Sequence, residues 1–473
     1  MPNEKQIKKI KQHGMHRQLA LSIAGASSGV RLLTNRATSF FLPEKERRAV
    51  RQEFLSQEAN LFVQKLGELK GTYVKIGQMM ALYGDGLLPR EVTDALHDLE
   101  HKTRSLEWAA IEPVLTLALG ERYLELQIDH YPIAAASLSQ VHRATCVKDG
   151  RKLCIKVQYP GVAQTIDSDF KSLMQMLRMA RWLDSGRDLE RWMNEIRLML
   201  VDEIDYVREG VMTERVAQLL RGDERYIVPT IEKRFSGSTV LTMNYIKGYE
   251  VTHSAVSRLS QDRRNALAMA MLDIFFKEVF EWGIMQTDPN FGNYKVQLRA
   301  AKQSLKNSTK NSYLTRSTEQ KDALVLLDFG AVRELEAGFL SALQKTIVAA
   351  YRNDRETLVE GAVELNCVAS SQPQPVKDSF ADFCILLMEP FRTDKSEIPE
   401  FALNARGQYK WHESNLMKRV GKLGAKSITL NGFSSPPKEF ALIARKLSGV
   451  FTFVTTLRAE IDAHTIIDQY LKP

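Results

Sequence analysis

Two short apolar runs constrain this chain of 473 residues more than any other feature. The first is Tyr294-Lys295-Val296. The second is Ala323-Leu324-Val325-Leu326-Leu327, which ends on Asp328-Phe329-Gly330. Between them lies QLRAAKQSLKNSTKNSYLTRSTEQKD, residues 297–322, rich in Ser, Thr, Lys and Asn and almost without large apolar side chains. Such a composition cannot bury enough surface to order itself alone. The pattern predicts two strands joined by a flexible excursion at a hairpin tip. The far end of that hairpin then carries two residues with side-chain oxygens, Asn293 and Asp328. A carboxylate at the end of a strand suits a hard cation such as Mg²⁺, which takes oxygen ligands.

Five positions before Asn293 stands Asp288, in MQTDPNFGNYKV (Met285–Val296). An Asp and an Asn at this gap occur in the catalytic loop of protein kinases, where the Asp handles the acceptor proton and the Asn holds a metal ion. The His-Arg that normally precedes that Asp is absent, and Gln286-Thr287 stands in its place. Alone, either the Asp–Asn gap or the DFG triplet is a weak signal. Together, in the order Asp, Asn, strand, turn, strand, Asp, they lay out a phosphoryl-transfer hairpin.

Such a site also needs a cation for the α- and β-phosphates. Leu153-Cys154-Ile155-Lys156-Val157 offers a strand lysine after an Asp-Gly turn at Val147–Arg151. The phosphate-loop position upstream reads Ala134-Ala135-Ala136-Ser137-Leu138-Ser139-Gln140-Val141-His142 and contains no glycine. Glycine lets a loop reach positive φ and approach phosphates closely. An alanine loop still presents N–H groups, but it should sit differently. Acidic partners for Lys156 lie in Val201–Glu209. Glu203 and Glu209, six apart on one expected helix, would point about 120° apart, so only one of them pairs with Lys156. A solvated acidic helix face is the bland reading of the same residues. Lys75-Ile76-Gly77-Gln78, in the helical N-terminal region, means little by itself.

Assembled, six motifs in order resemble the UbiB-type atypical kinase family, and its coenzyme Q (ubiquinone) biosynthesis branch in particular. They are KIGQ (Lys75–Gln78), the alanine-rich loop (Ala134–His142), Lys156, the Glu203-Ile204-Asp205 motif with Glu209 following, QTDPNFGN (Gln286–Asn293) and DFG (Asp328–Gly330). The chain departs from that branch at Ser139, where glycine is usual, and at Asn244, where glutamate is common between the lobes. The resemblance implies an α+β, protein-kinase-like two-lobe fold with an N-terminal helical extension. It implies that KIGQ folds over the active site, that Lys75 pairs with Glu203, and that Glu209 pairs with Lys156. Ala134, Ala135, Ala136, Ser137, Lys156 and Asn244 would then bind ATP. Asn293 and Asp328 would hold Mg²⁺, and Asp288 would orient or deprotonate the acceptor. The implied activity is ATP hydrolysis or phosphorylation of a small lipid-like acceptor, in support of quinone biosynthesis. No APE triplet follows DFG at the usual distance; Ile398-Pro399-Glu400 comes about 70 residues later. Two other readings stay open: a protein kinase acting in trans, and a non-catalytic nucleotide-gated scaffold.

The expected organisation is a basic arm over 1–51, helices carrying KIGQ over 52–122, a kinase-like N-lobe over 123–247, and a mostly helical C-lobe over 248–473. Within these, residues 165–220 read as helix, and Leu124–Ile128 as a strand. Ile227–Arg234 and Thr239–Tyr245 read as a strand pair. Residues 1–51 hold eleven Lys and Arg against three acids, an excess equal to the +8 of the whole chain. A basic arm on a neutral body suits an anionic surface. Neither aromatic interleaving nor zinc spacing supports nucleic acid, so an anionic membrane surface is expected. Lipid-like quinone precursors and other quinone-biosynthesis enzymes are the partners to expect there. The longest uncharged run of the arm, QLALSIAGASSGV between Arg17 and Arg31, would make a helix of roughly 20 Å, short of the ~30 Å hydrocarbon core. It is either a small-residue helix packed on the body or an interfacial membrane helix. Its Gly25-xxx-Gly29 spacing suits close helix approach and self-association to a homodimer. The expected location is cytoplasmic and peripheral to a membrane, or the mitochondrial matrix face in a eukaryote. The four cysteines form no CxxC pair, so neither a zinc site nor a disulfide framework is indicated, and the sequon at Asn307 is read as accidental. His97 and His101 have metal spacing on a helix but no evident third ligand.

Overall fold

The structure, a computed structural model, describes residues 44–471 except 70, 84–87, 97–98, 100–104, 180–181, 183–186, 289, 300–321 and 429–437. The arm's residues 1–43 with Gly25 and Gly29, the His97 and His101 pair, most of the 297–322 segment and Asn307 lie outside the described residues. The chain forms two compact units. The first holds the residues up to Val211 together with Thr230–Tyr245, and the second holds Met212–Pro229 and Ile246 onward.

The first unit begins with four helices, α1 (Glu44–Leu69), α2 (Thr72–Tyr83), α3 (Arg90–Leu96) and α4 (Trp108–Leu119). Strands β1 (Leu126–Ile128), β2 (Ala134–Ala135), β3 (Ser139–Cys146) and β4 (Lys152–Gln158) follow, then α5 (Val162–Met179), α6 (Arg187–Glu203) and the first part of α7 (Tyr206–Leu219), whose residues from Met212 on belong to the second unit. Strand β6 (Val240–Asn244) completes an antiparallel sheet of order β1-β3-β4-β6, with β2 paired to β3. The β3–β4 register, Thr145↔Lys152, leaves the Asp-Gly turn between them, and Gly150 takes the positive φ of 71° that this turn requires. Along β4, Leu153, Ile155 and Val157 are fully buried. Strand alternation therefore puts Lys156 on the opposite face. The buried set packs with Leu66, Tyr73, Ile76 and Met80 of α1 and α2 and with Phe170 and Leu173 of α5. Helix α5 reaches that core because Val162, Ile166, Phe170, Leu173 and Leu177 recur at helical spacing.

In the second unit, α8 (Ser254–Ser257) and α9 (Gln261–Lys277) lead through one π-helical turn, Glu278–Trp282, into β7 (Ile284–Gln286). Helix α9 buries Leu267, Met271, Leu272, Ile274, Phe275 and Phe276, almost all round, as a helix at the centre of a core must. Then come β8 (Tyr294–Gln297), β9 (Ala323–Leu326) and β10 (Val332–Glu334). The remaining helices are α10 (Ala337–Arg352), α11 (Arg355–Glu364), α12 (Gln374–Leu387), α13 (Leu416–Ile428), α14 (Lys438–Thr456) and α15 (His464–Tyr470), with a small β11–β12 pair (Tyr409–Lys410, Glu460–Ile461). The hairpin expected from the two apolar runs is present: β8 and β9 are antiparallel, from Tyr294↔Leu326 to Gln297↔Ala323. Beyond that register, Arg299 N–H donates to Asp322 Oδ1 at 3.0 Å, so the described flanks of residues 300–321 are tied together.

Three local expectations are corrected. Residues 227–234 do not form a strand paired with β6. Strand β5 (Tyr226–Ile227) instead pairs in parallel with β9, and only Ile231 bridges to Met243. Pro229 has no N–H to give a ladder, and residues Lys233–Phe235 turn into a 3₁₀ helix. The helical stretch 165–220 is three helices, broken between Glu203 and Tyr206. Of the strand expected over Leu124–Ile128, Leu124 and Glu125 close a 3₁₀ turn instead. Among the described residues, no helix is long and apolar enough to cross a membrane.

Candidate active site

In the first unit, Lys156 Nζ donates to both carboxylate oxygens of Glu209 at 2.8 Å. The Glu209 side chain is 2% exposed, so this charge has left water and needs its partner. The Tyr206 ring lies 5.2 Å from the same Nζ. Glu209 sits early in α7, whose start is capped by Asp205: Arg208 N–H donates to Asp205 Oδ1 at 2.9 Å. That cap is the physical cause of the helix break. Glu203 ends α6 and Glu209 opens α7, so the two acids diverge because they stand on different helices, not because they are 120° apart on one. Glu203 Oε2 meets Lys75 Nζ at 2.5 Å. Both lysine–acid pairs implied by the resemblance are thus made.

Gln78 donates through Nε2 to the Leu99 carbonyl at 3.0 Å, which ties the end of KIGQ to the segment after α3. Gly77 allows that approach: a Cβ there would stand 2.5 Å from a Leu99 methyl and 3.2 Å from one of Leu66. The alanine loop is the tight end of the β2–β3 hairpin. Ala134 pairs with Val141 and Ala135 with Gln140, while Ala136 N–H donates to the Ser139 carbonyl at 2.8 Å. Ser137 is buried and Ala136 exposed. No residue from Ala134 to Ser139 takes a positive φ, so this turn does not require glycine. Asn244 ends β6, and its Oδ1 accepts the Thr230 N–H at 2.6 Å. His142 is fully buried. Its Nδ1 lies 2.7 Å from the Asp129 carbonyl, which only accepts, so Nδ1 carries the proton. Nε2 then accepts from Gln140 Nε2 at 2.8 Å. Burial lowers the His142 pKa from its ordinary 6.5.

In the second unit, Gln286 organises the loop. Its Oε1 accepts the Asp288 N–H at 2.9 Å, and its Nε2 donates to the Asp328 carbonyl. One buried amide therefore joins the two aspartates' backbones, in the place where protein kinases carry His-Arg. Thr287 adds a hydroxyl bond to the Ala331 carbonyl at 2.8 Å. Asn293 Nδ2 donates to Asp288 Oδ2 at 2.9 Å, and Leu327 N–H donates to the Asn293 carbonyl at 3.0 Å. The β8–β9 register thereby sets Asn293 beside the Leu327–Asp328 end, as the spacing required. Asp328 Oδ1 accepts the Gly330 N–H at 3.0 Å.

Three further residues outside the motifs join this network. Arg445 of α14 approaches Asp288 Oδ1 at 3.3 Å. Its neighbour Lys446 is 1% exposed and bonds Glu278 at 2.9 and 3.0 Å. Glu278 in turn accepts the Gln286 N–H at 3.2 Å. Burial raises the Glu278 pKa; burial also works against the Lys446 charge, but the Glu278 carboxylate outweighs it and raises the lysine's pKa. A signal for Lys446 existed: Ile443 and Val450 share its helix face and are buried, so a lysine on that stripe demands an acid.

Among the described residues, no three His, Cys, Asp or Glu side chains cluster as a metal site. Mg²⁺ of the phosphate-borne kind keeps waters and takes one or two protein oxygens besides those of the phosphates. Asp328 and Asn293 supply such oxygens at one hairpin end.

Residues 98–362, more than half of the chain, match the ABC1 atypical kinase-like domain. Over 418 residues the chain is 28% identical to the mitochondrial atypical kinase COQ8 of Schizosaccharomyces pombe, covering 88% of this chain and 63% of that one. To the mitochondrial COQ8 of Saccharomyces cerevisiae it is 27% identical over 401 residues, covering 84% and 73%. A solved Mycobacterium tuberculosis protein, Rv3197 in complex with erythromycin, superposes with a TM-score of 0.58 at 21% identity, over 91% of this chain and all of that one. This last likeness concerns the fold alone. Fold and motifs together define a protein of kinase-like architecture, mixed helix and sheet, with helices preceding the first sheet. The chain belongs to the ABC1 atypical kinase-like family. The UbiB-type resemblance read from six motifs agrees with its COQ8 relatives.

Proposed function

We propose that this protein is an ATP- and Mg²⁺-dependent phosphotransferase or ATPase that supports ubiquinone biosynthesis at a membrane surface. The observation that carries the reading is the hydrogen-bonded assembly of Asp288, Asn293 and Asp328 about Gln286. Family membership and the COQ8 relatives support the quinone assignment. Lys156, pre-oriented by Glu209, binds the α- and β-phosphates, and the N–H groups of the Ala134–Ser137 loop add contacts to ATP. Asp328 and Asn293 would hold Mg²⁺. The ion, when bound, neutralises charge on the β- and γ-phosphates. Asp288 orients the acceptor oxygen and takes its proton. The new bond joins that oxygen to the γ-phosphorus, the bond from the γ-phosphorus to the β–γ bridging oxygen breaks, and ADP leaves with that electron pair. The acceptor is water or the hydroxyl of a lipid-like quinone precursor.

The resemblance implies that the KIGQ segment of Lys75 and Gln78 closes over the site. This favours a small acceptor over a protein one. The basic arm, an anionic membrane surface, neighbouring quinone-biosynthesis enzymes, a homodimer and a mitochondrial location in a eukaryotic source belong to the same proposal. The test is ATP hydrolysis in the presence of anionic liposomes. Wild type should exceed Asp328→Asn by about 100-fold, the scale on which loss of one electrostatic element acts. Equal rates would overturn the enzyme reading.

A further inference from the structure

The loop from Gln286 to Asn293 contains no Lys or Arg. A carboxylate that works on an acceptor proton still needs fixing, because an unrestrained Asp rotates about two side-chain bonds. In this chain both oxygens are engaged from fixed elements. Oδ2 accepts from Asn293 Nδ2 at 2.9 Å, and Oδ1 faces Arg445 Nη2 at 3.3 Å. Arg445 comes from α14, which lies far along the sequence.

Helix α14 is itself anchored at this point. Ile443, Val450, Phe451 and Val454 are buried in the second unit's core. Lys446, next to Arg445, is tied to Glu278, and Glu278 receives the N–H of Gln286. Gln286 in turn receives the N–H of Asp288. One turn of α14 thus reaches the same aspartate by two routes, through its backbone and through its carboxylate. The Arg445 and Asp288 side chains are each about a third exposed, at 31% and 32%. A contact so exposed adds little to folding stability, so its value lies in orientation.

We propose that Arg445 is a positioning residue for Asp288: α14 supplies the cation that the catalytic loop lacks, and with Asn293 it fixes the plane of the carboxylate. The inference rests on the phosphotransfer reading above for its consequence, though not for the contact itself. The first test is kinetic. Arg445→Gln should lower kcat about 10- to 100-fold, the scale of misplacing a catalytic group by about 1 Å. KM for ATP and the melting temperature should stay unchanged. Arg445→Lys should keep part of the rate, and added guanidinium should restore part of it to Arg445→Ala. In the double variant with Asp288→Asn, Arg445→Gln should add no further loss. An unchanged or raised kcat, or an additive loss, would overturn the proposal.

The second test needs no turnover. Carbodiimide labelling followed by mass spectrometry reads the reactivity of the Asp288 carboxyl, which should rise in Arg445→Gln and rise less in Arg445→Lys. If wild type and Asp328→Asn hydrolyse ATP equally, the enzyme reading fails and labelling alone decides whether Arg445 holds Asp288. Identical labelling in all three proteins would overturn the proposal.

Discussion

A single imidazole behind the alanine loop gives the site a pH dependence. His142 holds Asp129 through a protonated Nδ1 and accepts from Gln140 through Nε2, so a second proton would face an amide N–H₂ group. Gln140 also bonds both backbone groups of Leu106, at 2.8 and 3.3 Å, so the disturbance spreads to the segment before α4. The folded pKa is lowered below 6.5, chiefly by burial, while the unfolded chain protonates near 6.5. The unfolded state therefore binds more protons in acid, and the stability His142 contributes is full above about 6.5 and lost as pH falls through the lowered value. Urea denaturation between about pH 7.5 and pH 5 should show a midpoint that falls more steeply in wild type than in His142→Gln. Parallel slopes would remove His142 as the cause. At this scale the contacts that the motifs implied, Lys156 with Glu209 and Lys75 with Glu203, are made, and the motif spacing brought Asp288 and Asn293 together. The sequence was not legible at Arg445 and Glu278. Their partners lie far off in the chain, and no local pattern records a contact made by folding.

Helix ends, rather than helices, decide which acid meets which lysine. Apolar periodicity made 165–220 one helical stretch, and α5, α6 and α7 lie along it; periodicity does not register a stop where the next helix begins three residues later. The stop is written in Asp205, a strong N-cap residue ahead of Tyr206. Asp205→Ala should cost about 1 kcal/mol of stability, while Asp205→Asn, which caps equally well, should restore most of it. Thermal unfolding of the two variants checks this. Equal losses would show that charge at Asp205, not the cap, is what matters. The strand pair at 227–245 shrank to one antiparallel bridge, Ile231 to Met243, for a related reason. β propensity is present through Ile227, Val228 and Ile231, but Pro229 interrupts the ladder, and the free edge of β9 takes Tyr226 and Ile227 instead. The β8–β9 hairpin was legible because a strand ending on a carboxylate and a long polar insert leave few other arrangements.

The charge of the whole molecule is lopsided, and this leads to the broadest prediction. All of the +8 excess is held by residues 1–51, mostly outside the described residues, so the rest of the chain is neutral on balance. Each Lys or Arg held near an anionic bilayer contributes about 1 kcal/mol, screened within a Debye length of about 8 Å at physiological salt. Eight net charges then suffice for surface binding without a spanning helix, and among the described residues no helix is fit to span. The 473-residue chain should co-sediment with vesicles containing phosphatidylserine or cardiolipin. It should be released as salt rises toward about 0.5 M, where the Debye length shrinks to about 4 Å. Removing residues 1–51 should abolish binding to anionic vesicles, while neutral phosphatidylcholine vesicles should bind neither form. Undiminished binding by the truncated protein would move the membrane-facing surface onto the neutral body, where charge could not explain it. Binding of the full chain that ignores salt would instead assign the attachment to apolar insertion by the QLALSIAGASSGV stretch.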